Sequence, residues 1–365
     1  MNFEKRKRFR NALAGLLLFS VLLSGISGCS RQDPSSQTAS GSASSPGYTE
    51  NQGAYSKTTF ALSTVITITV YQEADAAWLN DCEQLIRSYE NTLSRTLETS
   101  EIARLNSRAG NEVSQETAEL ISTGLYYSEL TGGAYDITVA TLTSLWDFLA
   151  EEPAVPEEDQ IREAIRHIGY QTVHADGTTV TFDDDQTGIE LGSIAKGYIA
   201  DQVKEFLVSK GVESAMINLG GNVLLLGSKT DGTDFRIGIQ TPFGSNADYF
   251  GIVAASDQSI VTSGVYERCF QQDGKNYHHI LNPRTGYPYD NGLLSVTIIG
   301  PESTHCDALS TACFSLGLEK GMELIDSIPD YYAIFVSGEY DTDPSGWEYT
   351  FSDGFTENVN YTKHN

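Results

Sequence analysis

"ELGSIAKGYIAD", residues 190–201, is where the chain passes from one kind of regular structure to another. A strand-like run ends at Leu191, the pair Gly192-Ser193 breaks it, and an amphipathic helix follows, which puts Lys196 in the first helical turn. A cation is out of place there, because unpaired N–H groups and the macrodipole already make a helix N-terminus positive. The stretch therefore asks for an anion that it does not itself contain.

Segments on both sides extend the strand-then-helix reading. "STVITITV", residues 63–70, alternates Ile66, Ile68 and Val70 with Thr67 and Thr69, the pattern of a half-buried strand. Trp78, Cys82, Leu85, Ile86, Tyr89 and Leu93 then recur at helical spacing and make one apolar face. Further helices are expected over 116–130, 157–168, 194–208, 307–316 and 319–328, and strands over 215–226, 235–240, 252–262, 293–299 and 332–337. Helices and strands intermix without regular βαβ alternation. The pattern predicts an α+β fold with mixed or antiparallel sheets and packed helices, a single domain of two lobes.

"NLGGNV", residues 218–223, interrupts a strand with two glycines and marks a bulge or a close backbone approach, structural or ligand-facing. The last stretch, residues 341–365, reads as a loop plus an edge strand with a polar tail.

The beginning of the chain carries a different message. A basic start, "KRKRFR", precedes the apolar run "ALAGLLLFSVLLSGIS" and then Gly28-Cys29, the layout of an export signal over 1–28. Ile26-Ser27-Gly28 before the cysteine is similar to a bacterial lipoprotein signal, which makes Cys29 the expected lipidation site and acylated first residue. An uncleaved transmembrane anchor is the alternative, and the apolar run is short for one. Residues 29–56 are rich in Ser, Gly and Gln and read as a flexible tether, leaving 57–365 as the folded domain. The expected location is thus a bacterial membrane, reached through the lipid anchor, with the domain outside the cytoplasm.

Charge narrows the partners. The whole chain has net charge −26; losing Glu4 and the five basic residues of the signal leaves 18 Lys and Arg against 48 Asp and Glu, net −30. Nucleic acid is excluded as a partner, because phosphate binding needs a basic surface. Cys82, Cys269, Cys306 and Cys313 show no CxxC pairing and are expected as small buried apolar residues.

Two segments suggest what the anion near Lys196 does. In "HCDALSTAC", residues 305–313, Asp307, Ser310 and Thr311 stand at i, i+3 and i+4 of an expected helix, so their oxygens share one side. Hard oxygen donors of that kind suit Mg²⁺, which takes few carboxylates and is commonly completed by phosphates; Asp307 acting only as a helix cap is the other reading. "YHHILNPRTGYPYD", residues 277–290, sets two of the six histidines before a turn. One of them can carry a proton to or from a reacting group; two edge-strand histidines, one inward and one outward, fit equally.

Taken together, "SEIARLN", "TGGAYDIT", "ELGSIAKGYIAD", "NLGGNV", "TSGVYERCF", "YHHILNPRTGYP" and "DALSTA" resemble, in order, the ApbE family of FAD:protein FMN transferases, over about residues 60–318. The resemblance implies an enzyme that binds FAD and Mg²⁺, moves FMN onto a threonine hydroxyl of an acceptor protein and releases AMP. It places Asp307, Thr311, Ser310 and Ser193, the last through its backbone carbonyl, on the metal. It places Lys196, Glu190, Ala134, Tyr135, Asp136, Leu62, Thr96 and Leu281 on FAD, and His279 at the catalytic position with Lys196 and Asp307. "LST" at 62–64 stands where the family more usually has "MGT", and Thr96 where an aromatic residue is often found, which leaves Tyr135 and Tyr266 as candidates to stack on the flavin. The implied acceptors are subunits of membrane redox complexes.

Two other functions use the same residues. One is FAD pyrophosphatase activity giving FMN and AMP; the other is a non-catalytic flavin-binding lipoprotein. The chain contains no GxGxxG or P-loop pattern and nothing resembling a Ser-His-Asp hydrolase elbow.

Overall fold

The structure, a computed structural model, describes residues 49–364 apart from Gln52, Asn246 and Asp341. The expected signal over 1–28, Cys29 and most of the expected tether lie outside these residues. The end of the tether lies inside them: Thr49–Asn51 (β1) pairs with Ala54–Ala61 (β2), so regular structure begins before residue 57.

A two-residue turn, Leu62-Ser63, leads from β2 into Thr64–Val70 (β3). The same sheet continues with Ala215–Leu219 (β4), Asn222–Leu226 (β5), Ser259–Gly264 (β6) and Leu293–Gly300 (β7), then Tyr332–Ser337 (β8) and Glu348–Phe351 (β9). Strand order across this nine-stranded sheet is strand order along the chain, and each neighbouring pair is antiparallel. Six α-helices fall between β3 and β4: Ala76–Leu93 (α1), Glu101–Asn106 (α2), Gln115–Leu130 (α3), Ala140–Trp146 (α4), Glu158–Ala164 (α5) and Ala195–Ser209 (α6), the last leading back into the sheet. After β7 come Ser303–Leu316 (α7) and Leu318–Asp326 (α8), and Phe355–Asn358 (α9) lies near the end. The α+β expectation holds, with antiparallel sheets. Among the described residues no helix is long and apolar enough to cross a membrane.

Alternation along β5 shows how the core is divided. Leu224 and Leu226 pack with Ile66, Ile86 and Val203 beneath α1 and α6, while Val223 and Leu225 join the cluster of Phe235, Ile237 and Val253 on the other face. Those last residues belong to a three-stranded antiparallel sheet of Phe235–Gln240, Tyr249–Ala255 and Asn360–Lys363. Both faces of β5 are covered, and each fully buried Leu or Val there contributes about 1.5–3 kcal/mol. The C-terminal stretch supplies two edge strands where one was expected: Glu348–Phe351 at the edge of the large sheet and Asn360–Lys363 at the edge of the small one.

Four expectations are corrected. No strand ends at Leu191: after Phe182 the chain runs to α6 without a strand, its strand-like pairing limited to an isolated bridge between Gly188 and Val139. The strand over 215–226 is a hairpin: Gly220 and Gly221 have φ of 67° and 94° and make its two-residue turn, so the glycines form no bulge. The strand over 252–262 is two strands in two sheets, broken at Asp257 with φ 54°. Cys269 is exposed, on the outward side of the hairpin Cys269–Gln272 with Lys275–His278, whereas Cys82, Cys306 and Cys313 are buried as expected. Leu62 and Ser63, with φ of 54° and 58°, form the same kind of turn as the glycines without glycine, at a cost of about 1–3 kcal/mol each.

Candidate active site

Helices α6 and α7 meet at Gly197, where a Cβ would lie 2.2 Å from the Ser303 carbonyl oxygen and 2.8 Å from Asp307 Cβ. That approach lets each helix cap the other. Asp201 of α6 accepts hydrogen bonds from the N–H of Ser303 at 3.0 Å, the N–H of Thr304 at 2.8 Å and the Thr304 hydroxyl at 2.6 Å. Asp307 of α7 accepts the Gly197 N–H on Oδ2 at 2.9 Å, and its Oδ1 lies 3.2 Å from Lys196 Nζ. Part of the anion that the first turn of α6 asks for is thus a carboxylate of the same chain. Asp307 does not cap its own helix, because α7 starts at Ser303 and not at 307.

A cleft of about 340 Å³, within the range of small-molecule sites, opens at this junction. It gathers the expected residues from separate segments. Leu62 comes from the β2–β3 turn, Thr96 from the loop after α1, and Ala134, Tyr135 and Asp136 from the loop after α3. Glu190 and Ser193 come from the segment leading into α6 and Lys196 from its first turn, His279 and Leu281 from the segment after the hairpin, and Asp307 and Thr311 from α7. Ser310 is the exception: it is fully buried, donating to the Asp307 carbonyl and 2.8 Å from Ser263 Oγ, so it belongs to the packing behind the cleft. One position further along α7 turns Thr311 to the cleft, 3.1 Å from the same Ser263 hydroxyl.

Several of these groups are held by second partners. Tyr135, buried, accepts a hydrogen bond from the Ser193 hydroxyl at 2.9 Å. The Asp136 carboxylate is occupied by Thr138 and by the Tyr170 N–H, so what it offers the cleft is mainly backbone and shape. Burial pushes the Asp136 carboxyl up, against the pull of those hydrogen bonds. Glu190 accepts the Gly192 N–H at 2.9 Å and forms an ion pair with Arg95 Nε. Arg95 in turn donates to Ser144 Oγ at 2.9 Å, tying the loop after α1 to α4.

One histidine of the pair faces the core and the other the cleft, and neither faces outward. His278 is buried, with Nε2 2.8 Å from the Tyr289 carbonyl, and burial lowers its pKa to about 4. His279 lines the cleft and gives its backbone N–H to the Arg268 carbonyl, while its buried Nδ1 has no partner. Burial first, then the charges of His278, Arg268 and Lys196, push its imidazole down to about 3, so it is neutral near pH 7.

Arg95, Ser263, Glu267 and Arg268 also line the cleft and were missed as individual residues. Three of them lie inside "TSGVYERCF", which was a visible motif with no obvious chemistry of its own; the Arg95–Glu190 pair joins positions 95 residues apart and has no local signal. The cleft walls raise the Glu267 carboxyl, Lys196 opposes that rise, and Asp307 adds to it.

The donor set fits a hard cation. Asp307 Oδ1 and Thr311 Oγ are oxygens on one helix face. The Ser193 hydroxyl is committed to Tyr135, but because Gly197 gives its N–H to Asp307, the Ser193 carbonyl four residues back is spared as an acceptor. One carboxylate, a hydroxyl and a carbonyl match the sparse protein contribution usual for Mg²⁺.

The family model for the ApbE family matches residues 62–335, from the β2–β3 turn into β8, and takes in every segment of the cleft. The chain belongs to the ApbE family. A relative from Klebsiella pneumoniae named FAD:protein FMN transferase is 38% identical over 292 residues, covering 79% of this chain and 90% of the relative. One from Treponema pallidum with the same name is 34% identical over 304 residues, covering 77% and 84%. Among solved structures, the ApbE protein of Thermotoga maritima superposes with a TM-score of 0.74 at 32% identity, covering 83% of this chain and 98% of that one. The flavin transferase ApbE of Vibrio cholerae gives 0.74 at 27% identity, with the same coverage.

Proposed function

We propose that this ApbE-family chain is an FAD:protein FMN transferase that binds FAD in the cleft and, with Mg²⁺, moves FMN onto a threonine hydroxyl of an acceptor protein, releasing AMP. The observation that carries this reading is the meeting in one cleft of Lys196 with Asp307 and Thr311, more than a hundred residues further along, in a chain whose relatives carry that name.

The chemistry follows from what each group offers. The threonine oxygen forms a bond to the FMN phosphorus, and the bond from that phosphorus to the AMP oxygen breaks. The neutral imidazole of His279 is the form that accepts the threonine proton. Burial first, and cationic neighbours after it, hold its basicity low; an anionic diphosphate beside it would offset the neighbours and raise it. Lys196 and the first turn of α6 face the diphosphate, where positive charge favours the leaving oxygen. Asp307, Thr311 and the Ser193 carbonyl would hold Mg²⁺, which supplies charge neutralisation at the phosphate oxygens. Glu190, pinned by Arg95, and Tyr135, pinned by Ser193, are fixed walls for the rest of the dinucleotide.

We further place the mature chain on a membrane through acylated Cys29, with the domain outside the cytoplasm and a membrane redox subunit as acceptor. The motivation is the signal-like start and the Ser/Gly-rich stretch. Replacement of Cys29 by Ala should release the protein from the membrane fraction, and unchanged fractionation rejects the anchor.

Incubation of the protein with FAD, Mg²⁺ and an acceptor domain should give AMP and an FMN-sized mass gain on one threonine. His279→Asn should slow it by about 10²–10⁴-fold. AMP release that needs no acceptor, with no mass gain on any acceptor, would replace transfer by hydrolysis; FAD bound but intact under all conditions would leave only a flavin-binding role.

A further inference from the structure

The carboxylate of Asp307 has two oxygens with unequal freedom. Oδ2 is fixed by the Gly197 N–H at 2.9 Å, and the tight contact at Gly197, where no Cβ fits, keeps the backbone from drawing away. Oδ1 is the oxygen left for a cation, and the Lys196 ammonium lies 3.2 Å from it. Asp307 is almost wholly buried whereas the Lys196 side chain is a quarter exposed, so the acid is fixed and the base is the mobile partner.

A divalent ion on Oδ1 and an ammonium on Oδ1 carry like charge and want the same lone pairs. Lysine's point charge on a four-carbon stem can swing, and the cleft offers it a second berth. Glu267 lines the same cleft and feels the charges of both Lys196 and Asp307. A bound diphosphate would offer a third.

Resting on the proposed reading of the site, we propose that Lys196 is a movable counter-ion shared between Asp307, Glu267 and the diphosphate of the dinucleotide, so that it competes with the divalent cation for Asp307 and yields when substrate draws it away. The lysine therefore holds the metal position weak until the dinucleotide arrives. Coupling of this kind between two ligands is typically about 5–150-fold, and it is reciprocal.

The test measures Mn²⁺ binding to the full-length protein, by electron paramagnetic resonance and calorimetry, with no flavin present, so that activity plays no part. Lys196→Met should bind Mn²⁺ about tenfold more tightly than the unaltered protein, because the competitor is gone. Glu267→Gln should act in the opposite direction and weaken Mn²⁺ by several-fold, since Lys196 loses its alternative partner; it also serves if Lys196→Met folds poorly. Unchanged or weaker binding in Lys196→Met, or tighter binding in Glu267→Gln, overturns the proposal. Asp307→Asn separates the two levels. If it binds Mn²⁺ as well as the unaltered protein, the metal reading of the site is wrong; if it loses Mn²⁺ while Lys196→Met does not gain, only the shared counter-ion is wrong.

Discussion

Asp201 and Asp307 do the same structural job from opposite sides of one helix pair, and they end up with different chemistry. Asp201 gives both oxygens to the N-terminus of α7, three donors in all, and does not line the cleft. Asp307 gives one oxygen to the N-terminus of α6 and keeps the other beside Lys196, inside the cleft. A cap that uses every lone pair is finished as a structural element. One that leaves an oxygen toward a cavity is also a binding group, and a buried carboxylate half-satisfied by a lysine is ready to exchange that lysine for another cation.

The contrast can be broken most severely at Asp307. Asp307→Asn keeps an acceptor for the Gly197 N–H but removes the charge, so transfer should fall by about 10³-fold while thermal stability moves little. Comparable losses of both, measured by AMP release and by calorimetric unfolding, would make Asp307 a structural residue like its counterpart. Asp201→Asn should show the reverse: an amide turns donors toward the Ser303 and Thr304 donors, costing about 3 kcal/mol in chemical denaturation, with kcat/KM of the folded fraction close to unchanged. Loss of activity without loss of stability there would end the distinction between the two acids.

Gly197→Ala tests the contact on which both caps depend. Its Cβ cannot fit against the Ser303 carbonyl, so the helices must separate, with an expected loss of about 1–3 kcal/mol and a weaker Asp307 cap. An unfolding midpoint equal to that of the unaltered protein would show that the pair has slack.

The smallest effect, taken per pH unit, sits in the cleft wall and just behind it. His279 and His278 have pKa values lowered to about 3 and about 4, so between those values and about 6.5 the unfolded chain binds more protons than the folded one. Stability from these groups is present above about pH 6.5 and falls as pH drops toward 3. His279→Gln should flatten that slope by up to about 1.4 kcal/mol per pH unit in denaturation curves from pH 7 to 4. An unchanged slope would show that His279 carries a proton in the folded protein.

Much of this was legible in local pattern. The alternation of Ile66, Ile68 and Val70 and the helical spacing from Trp78 to Leu93 named β3 and α1, because each element's buried face is written in its own residues. The first turn of α6 asked for an anion, and Asp307 supplied part of it. The start of α7 was misjudged by four residues for a related reason: Glu302, at its N-cap, makes no side-chain cap, and the capping carboxylate arrives from Asp201, about a hundred residues earlier. Nothing in the sequence around Gly197 marks it, and only the neighbouring helix shows why no other residue fits. Ser310 and Thr311 share a helical face to first approximation, yet one turns into the packing and the other to the cleft, a difference smaller than helical periodicity can resolve.

The sheet's strand order has a consequence for how the protein can come together. Eight antiparallel neighbours follow one another along the chain, but residues 71–214 are inserted between β3 and β4, so joining those two strands closes a very long loop. Everything from β4 to β9 can pair with sequence-near neighbours first. The cleft, in contrast, needs the inserted segment, α6 included, and α7 docked together, so the catalytic machinery should be among the last parts of a newly made chain to exist.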